Sequence, residues 1–179
     1  MKVLGIIGTI FGSKTKTALH AIKFDENTEY EIIDLKDYQL PFADGRVLSD
    51  YDEITQNLIY KIMDSDALII GTPIYQASIP GVLKNLFDLL PIDSIRNKTV
   101  GIVVTAGSHN HYLVAEYQLI PILNYLKTDV INKYVYITQE AFSSDSIVDD
   151  GIFLRLEALS KTLIEKANYN KEKEDKYDF

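Results

Sequence analysis

The stretch Ala67-Leu68-Ile69-Ile70-Gly71-Thr72-Pro73-Ile74-Tyr75-Gln76-Ala77-Ser78-Ile79-Pro80-Gly81-Val82-Leu83-Lys84-Asn85-Leu86-Phe87-Asp88 decides the fold. It opens on a short apolar run without alternation, the pattern of a strand buried on both faces. Pro73 stiffens the exit and cannot continue a sheet. Pro80 suits the first turn of a helix. Leu83, Leu86, Phe87 and Leu90 then recur at helical spacing, so 82–90 is expected to be a helix with that face in the core.

The same alternation extends in both directions. Residues 3–7, 30–33 and 100–104 read as further buried strands, and 130–137 as a weaker fifth one. Helical patterns fill the gaps at 15–22, 51–63, 113–126 and 152–167. In the second of these Ile54, Leu58, Ile59 and Ile62 supply the apolar spacing. The order βαβαβαβαβα predicts a doubly wound sheet with right-handed crossovers. The expected architecture is a flavodoxin-like three-layer α/β sandwich around a five-stranded parallel sheet. In such sheets ligands bind beyond the carboxyl ends of the strands. The loops 8–15, 72–80 and 105–112 are therefore the places to look for function.

Composition narrows the choice. A chain of 179 residues without a Pro/Gly/Ser linker suits one domain, expected over 1–169. Residues 170–179 are charged and lack periodicity, and are expected to form a disordered tail. A net charge of −8 argues against nucleic acid or an anionic membrane as partner. The absence of cysteine removes disulfides, thiolate catalysis and thiolate metal sites. The apolar run at 3–8 is too short for a signal or membrane segment, and no other run is long enough. The expected location is the cytoplasm.

The loop after the first strand reads Gly8-Thr9-Ile10-Phe11-Gly12-Ser13-Lys14-Thr15-Lys16-Thr17. It joins a buried strand to a helix start, where free amides and the positive dipole end favour a phosphate. The dinucleotide fingerprint G-x-G-x-x-G is absent. Walker A requires Lys after its second glycine, and Ser13 stands there. A phosphate monoester without an obligatory metal fits, and FMN ends in one. Thr9, Gly12, Ser13, Lys14, Thr15 and Thr17 are the candidate ligands. The plain alternative is that Gly12 turns the chain and Ser13 or Thr15 caps the helix.

The stretch quoted first also resembles the NADPH-dependent FMN reductase family, through the pattern T-P-x-Y-x-x-S-x-P-G-x-L-K-N-x-x-D. Thr72, Pro73, Tyr75, Ser78, Pro80, Gly81, Leu83, Lys84, Asn85 and Asp88 carry the match. The resemblance implies that Thr72, Pro73, Ile74 and Tyr75 border the flavin ring and ribityl chain. Lys84, Asn85 and Asp88 read as local pairing or a subunit interface. In the same family the loop after strand four contacts the pyrimidine edge of the flavin. The candidates there are Thr105, Ala106, Gly107, Ser108 and His111, with Ala106 replacing a glycine of the family pattern.

The cofactors so implied are FMN and either NADPH or NADH. Hydride transfer from nicotinamide to flavin is cofactor chemistry, so no residue is assigned as acid or base. His109 and His111 alone are too few for a metal site, and none is expected. Residues 89–91 and 113–123 look closest to the branch that supplies reduced FMN to two-component monooxygenases, such as alkanesulfonate systems. Some members of that branch carry a π-bulge at a tyrosine, and Tyr117 stands at the matching place. The resemblance and the Leu- and Tyr-rich helices imply a homodimer or homotetramer. The competing readings are a quinone, azo or chromate reductase with bound FMN, and a flavodoxin-like electron carrier.

Overall fold

The computed structural model describes residues 1–177. Its parallel sheet runs β2 (Glu29–Asp34), β1 (Lys2–Ile7), β3 (Ala67–Pro73), β4 (Thr99–Ala106), with the fifth position beside β4. That order reverses direction between β1 and β3, the switch point of a doubly wound sheet. β3 is buried from end to end, and β1 from its second residue onward. β2, on the edge, is more open: its first four residues alternate between exposed and half-buried, and its last two are buried.

Two apolar layers flank the sheet. One joins Leu58, Ile59 and Ile62 of α2 (Glu53–Asp64), Leu83 and Leu86 of α3 (Gly81–Leu89), and Leu123 of α4 (Ile120–Tyr125) to the sheet. The other holds Ala18 and Leu19 of α1 (Lys14–His20) with Ile152, Leu156, Leu159 and Leu163 of α5 (Asp150–Tyr177). Gly71 lets α1 press against β3, since a Cβ there would meet Leu19 at 2.3 Å.

The structure departs from the sequence expectations at the fifth strand, at the start of α2, at Ile54 and after residue 169. The fifth strand is split into β5 (Asp129–Val130) and β6 (Val135–Thr138), both parallel to β4. The pairing offset between β4 and this edge grows by two residues across the gap, so the strand bulges rather than running straight. The helix expected from 51 begins at Glu53, because Asp52 caps it by accepting the Thr55 amide hydrogen at 2.9 Å. Ile54, expected in the core, is exposed, and Thr55 is buried in its place.

Residues 113–125 are helical, but Ala115–Leu119 form a π-helical turn around Tyr117. Pro121 supplies the reason. It lacks the amide that would reach the Tyr117 carbonyl, and its ring crowds that carbonyl in a regular α-helix. The Ile120 amide bonds the Ala115 carbonyl instead. Finally, the segment after 169 continues α5 to Tyr177 rather than fraying. Asn170 donates to Thr99 and Asp129 at 3.0 and 2.9 Å, and Lys171 pairs with Asp66 at 2.6 Å. These long-range polar contacts tie Asn170 and Lys171, the first residues of the expected tail, to the fold. Residues 178–179 of that expected tail lie outside the described residues.

Candidate active site

The loops after β1, β3 and β4 meet around a cavity of about 290 Å³ at the carboxyl edge of the sheet. Its first wall is Phe11, Gly12, Ser13, Lys14 and Thr15. Gly12 has φ +86, which closes the loop tightly, and a Cβ there would face the Tyr75 hydroxyl at 3.4 Å. The second wall is Pro73, Ile74 and Tyr75, and the third is Thr105, Ala106 and Gly107 with Gln139. The Ile74 amide donates to the Thr105 carbonyl at 3.0 Å and ties the last two walls together.

Five of the sequence candidates lie elsewhere. Thr9 is buried, and its hydroxyl donates to the Phe11 carbonyl at 2.9 Å. Thr72 is buried and donates to the Pro73 carbonyl. Both hydroxyls shape their loops rather than face the cavity. Thr17 stands a turn further along α1. Ser108 caps a short 3₁₀ turn and His111 is its last residue, both outside the cavity lining. Thr15 lines the cavity but shares a 2.6 Å hydrogen bond with Thr105 under its floor. Ala106 is the last residue of β4 and has no positive φ, so this backbone accepts an alanine where the family pattern has glycine.

Sequence reading missed Phe11, Gln139 and Gln118. Phe11 stacks on Tyr75 with ring centroids 4.5 Å apart and planes 4° from parallel. The Tyr75 hydroxyl donates to the Phe11 carbonyl at 3.0 Å. The loop bearing Tyr75 is a tight turn closed by two backbone bonds between Tyr75 and Ser78, at 3.0 and 2.9 Å. Its central residues, Gln76 and Ala77, have φ 49 and 57, a left-handed pair normally served by Asn-Gly. Such strain persists only where surroundings enforce it. Gln118, in the π-helical turn, does so: it accepts from the Ser78 hydroxyl at 2.6 Å and donates to the Ala77 carbonyl at 3.0 Å.

Three family-pattern residues on α3 make contacts within the chain. Lys84 and Asp88 form an exposed i,i+4 pair. Asn85 donates to the Pro41 carbonyl at 2.9 Å and accepts from the Ala43 amide at 3.0 Å, pinning the loop that follows β2. The cavity suits a flavin mononucleotide on its own chemistry. It offers hydroxyl and ammonium groups at Ser13 and Lys14, and flat apolar walls at Pro73 and Ile74. At Gly107 no atom lies where a Cβ would point.

Comparison with known proteins gives the family. Residues 1–142 match the family model described as NADPH-dependent FMN reductase. An NAD(P)H-dependent FAD/FMN reductase of Geobacillus thermodenitrificans is 40% identical over 166 residues, spanning 89% of this chain and 90% of that protein. The NADH-dependent FMN reductase SfnF of Pseudomonas putida is 33% identical over 105 residues, or 59% of this chain and 56% of SfnF. Among solved structures, the flavoenzyme NAD(P)H:(acceptor) oxidoreductase FerB of Paracoccus denitrificans superposes with a TM-score of 0.76. It covers 94% of this chain and 98% of its own at 22% identity, a likeness of fold. The chain therefore belongs to the NADPH-dependent FMN reductase family and is an oxidoreductase acting with NAD(P)H and FMN.

Proposed function

We propose that this protein reduces FMN in the cavity where the three loops meet, and releases the product. The observation carrying this reading is that cavity itself, polar at Ser13 and Lys14 and apolar at Pro73 and Ile74. The phosphate lies against the loop 9–17, with Gly12, Ser13 and Lys14 nearest. Pro73, Ile74 and Tyr75 hold one side of the ring system, and Thr105 to Gly107 its polar edge. When bound, FMN supplies the two-electron acceptor and the nicotinamide nucleotide supplies the hydride. The protein's part is positioning. The loops fix the ring laterally and leave one face open to a second planar ligand. No side chain is required to move a proton.

The reduced flavin is consumed by a flavin-dependent monooxygenase, in line with the branch resemblance at 89–91 and 113–123. The protein acts in the cytoplasm; no helix among the described residues is long and apolar enough to cross a membrane. It assembles as a homodimer or homotetramer through the face bearing Tyr112, Leu113, Tyr117 and Tyr125, all exposed in the single chain. Light scattering that finds only monomer at micromolar concentration overturns this assembly.

One experiment tests the activity. Purified protein is inspected for colour and assayed for NADH and NADPH oxidation with and without added FMN. Colourless protein with FMN-dependent turnover is the expected result. Yellow protein active only with quinone, azo or chromate acceptors points to a bound prosthetic group. Yellow protein that oxidises neither nucleotide points to an electron carrier.

A further inference from the structure

A small hairpin crosses back over the first loop of the site. β7 (Phe142–Ser143) and β8 (Ser146–Ile147) pair antiparallel around the turn residues Ser144 and Asp145. Ser144 has φ 54 at a position where two-residue hairpins favour glycine. The tip presents Asp145, whose carboxylate accepts a hydrogen bond from the Ser13 hydroxyl. Ser13 sits at the cap position of α1, yet its hydroxyl caps none of that helix's own amides. On the next residue, the Lys14 ammonium lies 5.6 Å from the centroid of the Phe142 ring. The hairpin therefore touches both side chains that give the cavity its polar end.

An anion of the protein's own thus engages the Ser13 hydroxyl, beside the cavity wall against which the flavin phosphate is placed above. A carboxylate and a phosphate monoester make the same demands: a hydroxyl donor and a nearby ammonium. They cannot share one seat, because a phosphate monoester carries about −1.5 to −2 charges at neutral pH. Repulsion between such groups about 4 Å apart, partly screened by water, amounts to roughly tenfold in binding. We propose that Asp145 competes with the FMN phosphate for the Ser13 hydroxyl, and so keeps FMN an exchangeable substrate rather than a held prosthetic group. This rests on the placement of the phosphate at the loop 9–17.

The hairpin is suited to yielding. Each strand contributes two residues, too few to be rigid alone, and the turn is strained at Ser144. Phe142 and Ile147 stay packed against the core and can serve as its pivot. The penalty falls on the phosphate and not on the ring, so riboflavin escapes it.

The test is the dissociation constant of FMN and of riboflavin for the full-length wild type, Asp145→Asn, Asp145→Ala and Lys14→Ala. Both Asp145 variants are expected to bind FMN about tenfold more tightly, with riboflavin affinity changed less than about twofold. Slower release should also lower the FMN Michaelis constant. Unchanged or weaker FMN binding in both variants overturns the proposal, as does equal tightening of riboflavin. Lys14→Ala separates the two levels of inference. It should weaken FMN and spare riboflavin. If it leaves their ratio unchanged, the phosphate sits elsewhere and the underlying placement fails. If it alters the ratio while the Asp145 variants do not, Asp145 alone is acquitted as the competitor.

Discussion

Gln118 and Ser78 are joined by a 2.6 Å hydrogen bond that couples the π-helical turn to the loop carrying Tyr75. The Gln118 amide also reaches the Ala77 carbonyl, so one side chain holds both sides of a strained turn. Gln118→Ala should raise the FMN Michaelis constant several-fold with little change in turnover, since two hydrogen bonds of about 0.5–1.5 kcal/mol each are lost. Adding Ala77→Gly, which removes the strain at φ 57, should restore most of the loss. Steady-state kinetics of the single and double variants check this. A lowered turnover that Ala77→Gly does not recover would place Gln118 in the chemistry instead.

Tyr75 stacks on Phe11 and holds its carbonyl. Tyr75→Phe keeps the stacking and loses two hydrogen bonds, one donated to the Phe11 carbonyl and one accepted from the Thr9 hydroxyl, so the FMN Michaelis constant should rise only a few-fold. Tyr75→Ala removes the wall and should raise it much further. Loss of turnover in Tyr75→Phe with FMN binding retained would show that the hydroxyl is chemically required.

The Thr15–Thr105 bond is buried beneath the cavity. Thr15→Val leaves the Thr105 hydroxyl unsatisfied and should destabilise the fold by about 1–3 kcal/mol. The double variant with Thr105→Val removes both partners and should cost less than the sum of the singles. Urea denaturation of the four proteins measures this coupling; strict additivity would deny it.

Asp129 anchors the far end of α5. Partial burial pushes its carboxyl up, but hydrogen bonds from Lys166 and Asn170 outweigh this and hold it below the ordinary value of 3.8. A depressed folded pKa means the contribution is fully present above the ordinary carboxylate range and disappears as pH falls through the folded value. The ion pair is partly exposed, so solvent screening limits it to about 1 kcal/mol or less. The melting temperature of Asp129→Asn should thus fall below wild type at neutral pH, with the gap closing below about pH 4. A constant gap from pH 7 to pH 3 would remove the charge from the explanation.

The sheet was legible because its strands are short apolar runs, and β1, β3 and β4 stand close to where periodicity puts them. The loop 72–80 was legible because Pro73 and Pro80 punctuate it. The limits of reading by periodicity are equally specific. Ile54 has the right chemistry but points outward, because in the first turn of α2 the face that meets the core carries Thr55 instead. Asn170 and Lys171 look like solvated tail residues, and only their partners far away in sequence make them anchors. Gln118 and Asp145 act across long sequence separations, through a π turn and a hairpin tip. Hydrophobic pattern carries no trace of such contacts.

The split edge strand has a consequence for lineage. Between Val130 and Val135 the chain has two more residues than the facing part of β4. Two is an even number, so the alternation survives the gap: Ile131, Val135 and Ile137 all turn to the α5 side, and Val130 and Tyr136 to the other. Descendants of a common ancestor can therefore gain or lose residues here in pairs at small cost. A change of one would have to be absorbed within the irregular residues 131–134, or it would shift β6 against β4 and carry Gln139 away from the cavity. Length variation among relatives at this point should accordingly be counted in twos.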